Sequence, residues 1–198
     1  MDTAPSAIAP APAARHDGFT ITLHWLTAIL VVLQFSLAET WDFFPKPARH
    51  LMIVGHMSFG LVLAAVFGSR VLWRLTPGRL HFNDGLDLAS RAAWLMHRLL
   101  YILVAAEIVL GVFTRWTDNQ ALSFFGFLIP SPFGPFAKST GAFVDEIHDL
   151  NAWAIILLAG AHSAVALAHH YWLRDDVLRR MMPNGVFMRG ERTDMGSD

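Results

Sequence analysis

No cysteine occurs among the 198 residues. That excludes disulfides, iron–sulfur clusters held by thiolates, and covalent haem attachment through a C-x-x-C-H motif. Any redox cofactor must be held by other ligands. Charge is also scarce. Asp, Glu, Lys and Arg make up 16% of the chain, against about 25% in an ordinary soluble domain. The formal net charge of −1 says little about partners, among which nucleic acid is not expected. The first residues hold no basic n-region, only Arg15 just before the first apolar run, so a cleaved signal peptide is not expected either.

What the chain has is apolar residues, 54% of the total, with a mean hydropathy of +0.41. Their grouping is the stronger argument. A bilayer-spanning helix needs about 20 mostly apolar residues. Four stretches qualify, over 19–38, 51–75, 92–113 and 146–172. The expected fold is all-α, an integral membrane four-helix bundle in contact with lipid. Residues 18–183 form the membrane domain. An Ala- and Pro-rich tail precedes it over 1–17, expected to be disordered, and a second tail follows over 184–198. The loop between helices 3 and 4 carries Pro130, Pro132, Pro135 and several Phe, and is expected to lie on the membrane surface.

Lys and Arg set the orientation. Arg70, Arg74, Arg79, Arg91 and Arg98 flank the helix 2–3 loop. Arg174, Arg179, Arg180, Arg189 and Arg192 follow helix 4. The opposite side has Lys46, Arg49, Arg115 and Lys138. Both termini and the helix 2–3 loop are therefore expected on the cytoplasmic side of the membrane, which the resemblance given below makes a bacterial inner membrane. Trp25, Trp41, Trp73, Trp94, Trp116 and Trp172 fall near helix ends, as interfacial aromatics do.

Every apolar stretch contains histidine: His24, His56, His97, then His148, His162, His169 and His170. Ionisable groups at such depth are costly and face the bundle interior. His148 and His162 are 14 residues apart, about 40° short of four full turns and about 21 Å along the axis. They share one face at two depths, which suits two stacked cofactors. Pairing by depth sets His24 with His162 on the cytoplasmic side and His56 with His148 on the outer side. Depth leaves His169, one heptad past His162, as another partner for His24. Each pair can supply one imidazole to either face of a porphyrin iron. A divalent-metal path or a proton path is the alternative use of the same histidines.

The motifs at these positions are ITLHWL around His24, VGHMSFG around His56 and SRVLWRLTP at the end of helix 2. MHRLLY surrounds His97, EIHDLNAW surrounds His148, and GAHSAVALAHHYWLRDDVLRRMMP closes the domain. In order, spacing and side, they resemble the bacterial cytochrome b561 family, small four-helix dihaem membrane proteins that include superoxide oxidase. The resemblance implies two haem b groups, with iron held by His24 and His162 and by His56 and His148. It implies electron transfer to or from ubiquinone or a small redox donor. Superoxide oxidation with ubiquinone as acceptor is one activity it brings. Service as the membrane cytochrome subunit of a partner oxidoreductase is another, and a histidine-lined metal transporter is the reading of a different class. The family usually has Pro where this chain has Glu107. Here a neutral carboxyl hydrogen-bonded to a neighbouring helix is expected, with proton acceptance or pairing with a histidine as alternatives.

Three further residues join the cofactor site. Arg74 lies 18 residues after His56, five full turns, and so shares its face; Arg70 lies beside it. Both are expected to pair with haem propionates or a quinone oxygen, with snorkelling to lipid headgroups as the alternative. His97 stands four residues before Tyr101 on one face and is expected to hydrogen-bond a propionate or quinone. His170 is expected to be interfacial. His16, His50 and His81 are expected to lie in tail and loops without a specific role.

Overall fold

The computed structural model describes residues 17–76, 88–174 and 178–182. The first sixteen residues of the N-terminal tail, most of the helix 2–3 loop with Arg79 and His81, and the C-terminal tail lie outside the described residues. Four long helices, α1 (Gly18–Thr40), α2 (Lys46–Leu75), α3 (Leu88–Thr117) and α4 (Lys138–Ala168), make up the fold. Between α3 and α4 stands a short hairpin, β1 (Leu122–Phe124) and β2 (Phe127–Ile129). Among the described residues, four helices are long and apolar enough to cross a membrane. α1 packs along α2, and α3 packs along α4.

The helices extend beyond the apolar stretches because polar residues belong to their ends. Asp17, counted with the tail above, instead caps α1. Its carboxylate accepts from the Thr20 backbone N–H at 3.0 Å and the Thr20 hydroxyl at 2.8 Å, filling one of the orphan positions of a helix start. α2 begins at Lys46 with Pro47 in its first turn, where a missing N–H costs nothing. His50, expected in a loop, therefore lies within α2 and is exposed. α4 begins at Lys138, well before its apolar stretch. It closes with a wider π turn over His169–Leu173.

Hydroxyls inside the spans return to their own backbone. Thr22, Thr27, Ser58 and Ser69 each donate to the carbonyl four residues back, at 2.6–2.9 Å. In hydrocarbon no water can satisfy them, so this local bond is the available solution.

The inter-helix loop is more ordered than a surface strap. Its tip residues Phe125 and Gly126 have φ of 47° and 94°, the double left-handed turn that closes a two-residue hairpin. Ser58, fully buried on α2, accepts the Phe125 N–H at 2.8 Å. The hairpin is thus bolted to α2 two residues beyond His56. At the other end of the bundle, Trp73 of α2 donates to Asp17 at 3.3 Å and meets Phe19 edge-on at 4.6 Å. Trp25 donates to the Met181 carbonyl at 2.8 Å. The start of α1, the end of α2 and the segment after α4 therefore share one level. Between the two levels lies an apolar core of Phe67, Val104 and Ile155, with Val31, Val71 and Tyr101 against it. Ile155 stands midway between His148 and His162 in the chain.

Candidate functional site

Two clusters of polar side chains lie inside the bundle, one at each level. At the hairpin level His56 of α2 faces His148 of α4, with ring centroids 6.3 Å apart and planes at 84°. Trp41 covers the His56 ring at 5.5 Å. His56 Nδ1 lies 3.1 Å from the Gln34 backbone carbonyl of α1. In return the Gln34 amide donates to the His56 carbonyl at 2.8 Å. The result is a reciprocal clasp between α1 and α2, and a carbonyl facing Nδ1 sets the proton there and leaves Nε2 free. His148 Nδ1 lies 3.1 Å from a Glu107 carboxylate oxygen of α3.

At the arginine level Arg70 Nη2 donates to His24 Nδ1 at 3.1 Å. The Arg70 and Arg74 guanidinium carbons lie over the Tyr101 ring at 5.0 Å and 5.4 Å from its centroid. His97 packs edge-on against His162 at 5.1 Å. Arg70 and Arg74 thus meet over Tyr101, with His24 bonded to Arg70 and His97 paired with His162, and His169 and His170 follow in the π turn. The ion pairs among the described residues are Asp42–Arg49 and Glu107–His148; neither involves Arg70 or Arg74.

A family model described as prokaryotic cytochrome b561 matches residues 15–184. The cytochrome b561 homolog 2 of Escherichia coli K12 is 31% identical over 179 residues, covering 85% of this chain and 91% of that protein. A probable superoxide oxidase, CybB, of Yersinia pestis is 27% identical over 176 residues, covering 85% and 96%. A cytochrome b562 of Cereibacter sphaeroides is 30% identical over 180 residues, covering 85% and 97%. The chain belongs to the prokaryotic cytochrome b561 family.

It is accordingly a haem-binding electron-transport protein of a bacterial membrane, with four transmembrane helices. A b-type haem is held without a covalent bond, by axial side chains, and this cytochrome's interior fits that need. Metal–imidazole bonds of about 2.0 Å hold two rings on opposite sides of one metal with centroids roughly 6 Å apart, and His56 and His148 stand at 6.3 Å. The arginine level offers two cations to acidic groups such as propionates. There the rings are less open, since His97 and His162 are closer than that spacing.

Several residues of the b561 site carried little or no signal in the sequence. Gln34 is a lone amide in an apolar run. Gly60 makes way for it, because a Cβ there would lie 2.8 Å from Gln34 Nε2. Gly111 makes way for His148, where a Cβ would lie 3.2 Å from its Cε1. Asn151 donates to Glu107 at 2.7 Å and to the Leu103 carbonyl at 3.0 Å. Its three-residue spacing from His148 places both on one helix face, and that spacing was the available clue.

Proposed function

We propose that this cytochrome holds two haems b, one per level, and relays electrons through the bilayer between a small donor at the hairpin face and ubiquinone. His56 and His148 hold one iron, and His24 and His162 hold the other. The observation that carries the reading is the His56–His148 pair. It has the ring spacing of two axial ligands, and each Nδ1 faces an oxygen. Metal-bound histidines ordinarily donate the other ring N–H to such an acceptor.

Iron in haem supplies one-electron exchange between ferric and ferrous states. The chain's own residues fix its two positions, exclude water and set the local charge. The core of Phe67, Val104 and Ile155 keeps water from the space between the levels. At the arginine level His24 must change partners. Ligation through Nε2 puts the proton on Nδ1, where a guanidinium, which only donates, finds no acceptor. Arg70, with Arg74, would then be available to a haem propionate, and His97 would hydrogen-bond a propionate or the quinone. Divalent ions such as zinc take three or four protein ligands, and no group of three or more His, Asp or Glu side chains is placed to hold one among the described residues. Imidazoles that gather in twos suit a porphyrin iron better, which speaks against a metal transporter.

The Lys and Arg distribution supports a cytoplasmic position for the arginine level and both termini. The donor then meets the outer, hairpin face. The name of the Yersinia pestis relative supports superoxide as that donor. Superoxide is an anion, and of the four cations on this face Arg49 is already paired with Asp42 at 2.9 Å, which lessens its part in electrostatic steering. Stopped-flow mixing of the oxidised protein with superoxide, then ubiquinone, tests the activity. Haem reduction well above the chemical background, followed by reoxidation with quinone, is expected. Reduction at the background rate leaves the protein an electron-transfer subunit for a partner oxidoreductase.

A further inference from the structure

We propose that Glu107 is a positioning residue for His148. Its carboxylate accepts the Nδ1 proton, turns Nε2 toward the iron, and makes His148 the stronger donor of the two imidazoles at the hairpin level. The inference rests on the reading of His148 as an axial ligand given above.

A carboxyl group in the middle of an apolar helix is costly unless its oxygens are occupied. Both oxygens of Glu107 face polar groups of α4, Oε2 in a hydrogen bond and Oε1 in close approach. Asn151 Nδ2 donates to Oε2 at 2.7 Å. Oε1 stands 3.1 Å from His148 Nδ1. Asn151 also donates to the Leu103 carbonyl, one turn before Glu107 on α3, so the amide is itself fixed by two bonds to the same helix. One turn beyond Glu107, bare Gly111 lies against the edge of the His148 ring. Leu103, Glu107 and Gly111 thus form one face of α3, shaped to receive Asn151 and His148 from one face of α4.

The proton inventory then leaves one arrangement open to a ligand. A neutral imidazole has one N–H and one bare nitrogen. If Glu107 donated to Nδ1, the ring proton would sit on Nε2 and block the metal. With Glu107 accepting, Nε2 is bare and free to bind. His148 Nδ1 is buried and has no aligned hydrogen-bond partner among the described residues. Glu107 Oε1 lies within reach at 3.1 Å but off the N–H line, so the proposed bond requires the ring to turn until the two are in line.

The two imidazoles of one iron are therefore supported unequally. His56 faces a neutral carbonyl, and His148 faces a carboxylate. Charge-assisted hydrogen bonds are about twice as strong as neutral ones. A carboxylate behind a metal-bound imidazole raises its basicity, which favours ferric iron and lowers the potential.

The experiment compares potentiometric titrations and ferric low-spin EPR spectra of purified wild type, Glu107→Gln and Asn151→Ala, with haem content measured throughout. In Glu107→Gln both haems are expected to remain. One midpoint rises and its EPR signal moves, while the other haem is unchanged. Asn151→Ala, which loosens Glu107 without removing it, moves the same haem in the same direction by less. Unchanged midpoints and spectra in a fully loaded Glu107→Gln protein overturn the proposal. If that variant fails to assemble, unmoved signals in a fully loaded Asn151→Ala protein overturn it. His148→Leu separates the two layers of the argument. Retention of both haems there overturns the ligand reading. Loss of one haem there, with Glu107→Gln midpoints unmoved, overturns only the role of Glu107.

Discussion

Replacing Gly60 by alanine sets helix propensity against packing. In an isolated helix, alanine is favoured over glycine by about 1 kcal/mol. In this bundle the new Cβ would stand 2.8 Å from Gln34 Nε2, closer than such atoms approach, so the amide must move. Moving it breaks the 2.8 Å bond to the His56 carbonyl and leaves a polar group among helices without its partner, at a cost of about 1–3 kcal/mol. The net effect is a destabilisation of about 1 kcal/mol, the reverse of what propensity alone gives. The background decides the cause. With Gln34→Ala the obstruction is gone, and Gly60→Ala then stabilises by up to about 1 kcal/mol. Unfolding of all four proteins of this double-mutant cycle, in detergent and followed by far-UV circular dichroism, measures the coupling. An effect of Gly60→Ala with the same sign and size in both backgrounds refutes the reasoning.

Other consequences follow from single contacts. Ser58→Ala leaves the Phe125 N–H of the hairpin tip without its acceptor and should cost about 1–3 kcal/mol; hydrogen exchange at Phe125 should quicken while the far ends of the helices keep their protection. Arg70→Ala removes a guanidinium that has no ion-pair partner among the described residues, so less haem should survive purification, with the loss at the His24–His162 level; unchanged haem content and spectra would remove the arginine from the cofactor site. Trp25→Phe releases the Met181 carbonyl, and limited trypsin digestion should cut at Arg179 sooner than in wild type. Asp42→Asn breaks an exposed ion pair whose worth is under about 1 kcal/mol, so the unfolding midpoint should barely move.

The four helices were legible because a hydrocarbon solvent demands long apolar runs, and those runs are local in sequence. Their ends were less legible. Lys138–Asp145 is too polar to read as a span, yet it continues α4, since a helix can project beyond the apolar layer. Asp17 read as tail until its carboxylate proved to close the first turn of α1. The hairpin was hidden because its determinants are a left-handed Phe125–Gly126 turn and a contact with Ser58, 67 residues away. At the site, the histidines announced themselves as isolated ionisable groups in apolar helices. Their supports did not. Gln34, Gly60, Gly111 and Asn151 act through close approach between helices that adjoin only in three dimensions. Glu107 was visible as an anomaly, but its contact with His148 depends on the register of α3 against α4, which no spacing within one helix reveals.

The central claim is that imidazoles from separate helices hold two haems at two depths. Pyridine haemochrome analysis tests it most directly, on wild type and on the single alanine variants of His24, His56, His148 and His162, each normalised to protein. Two haems b per chain in wild type and one in each variant are predicted. A single haem in wild type, or two retained when any one of these histidines is removed, would contradict the account.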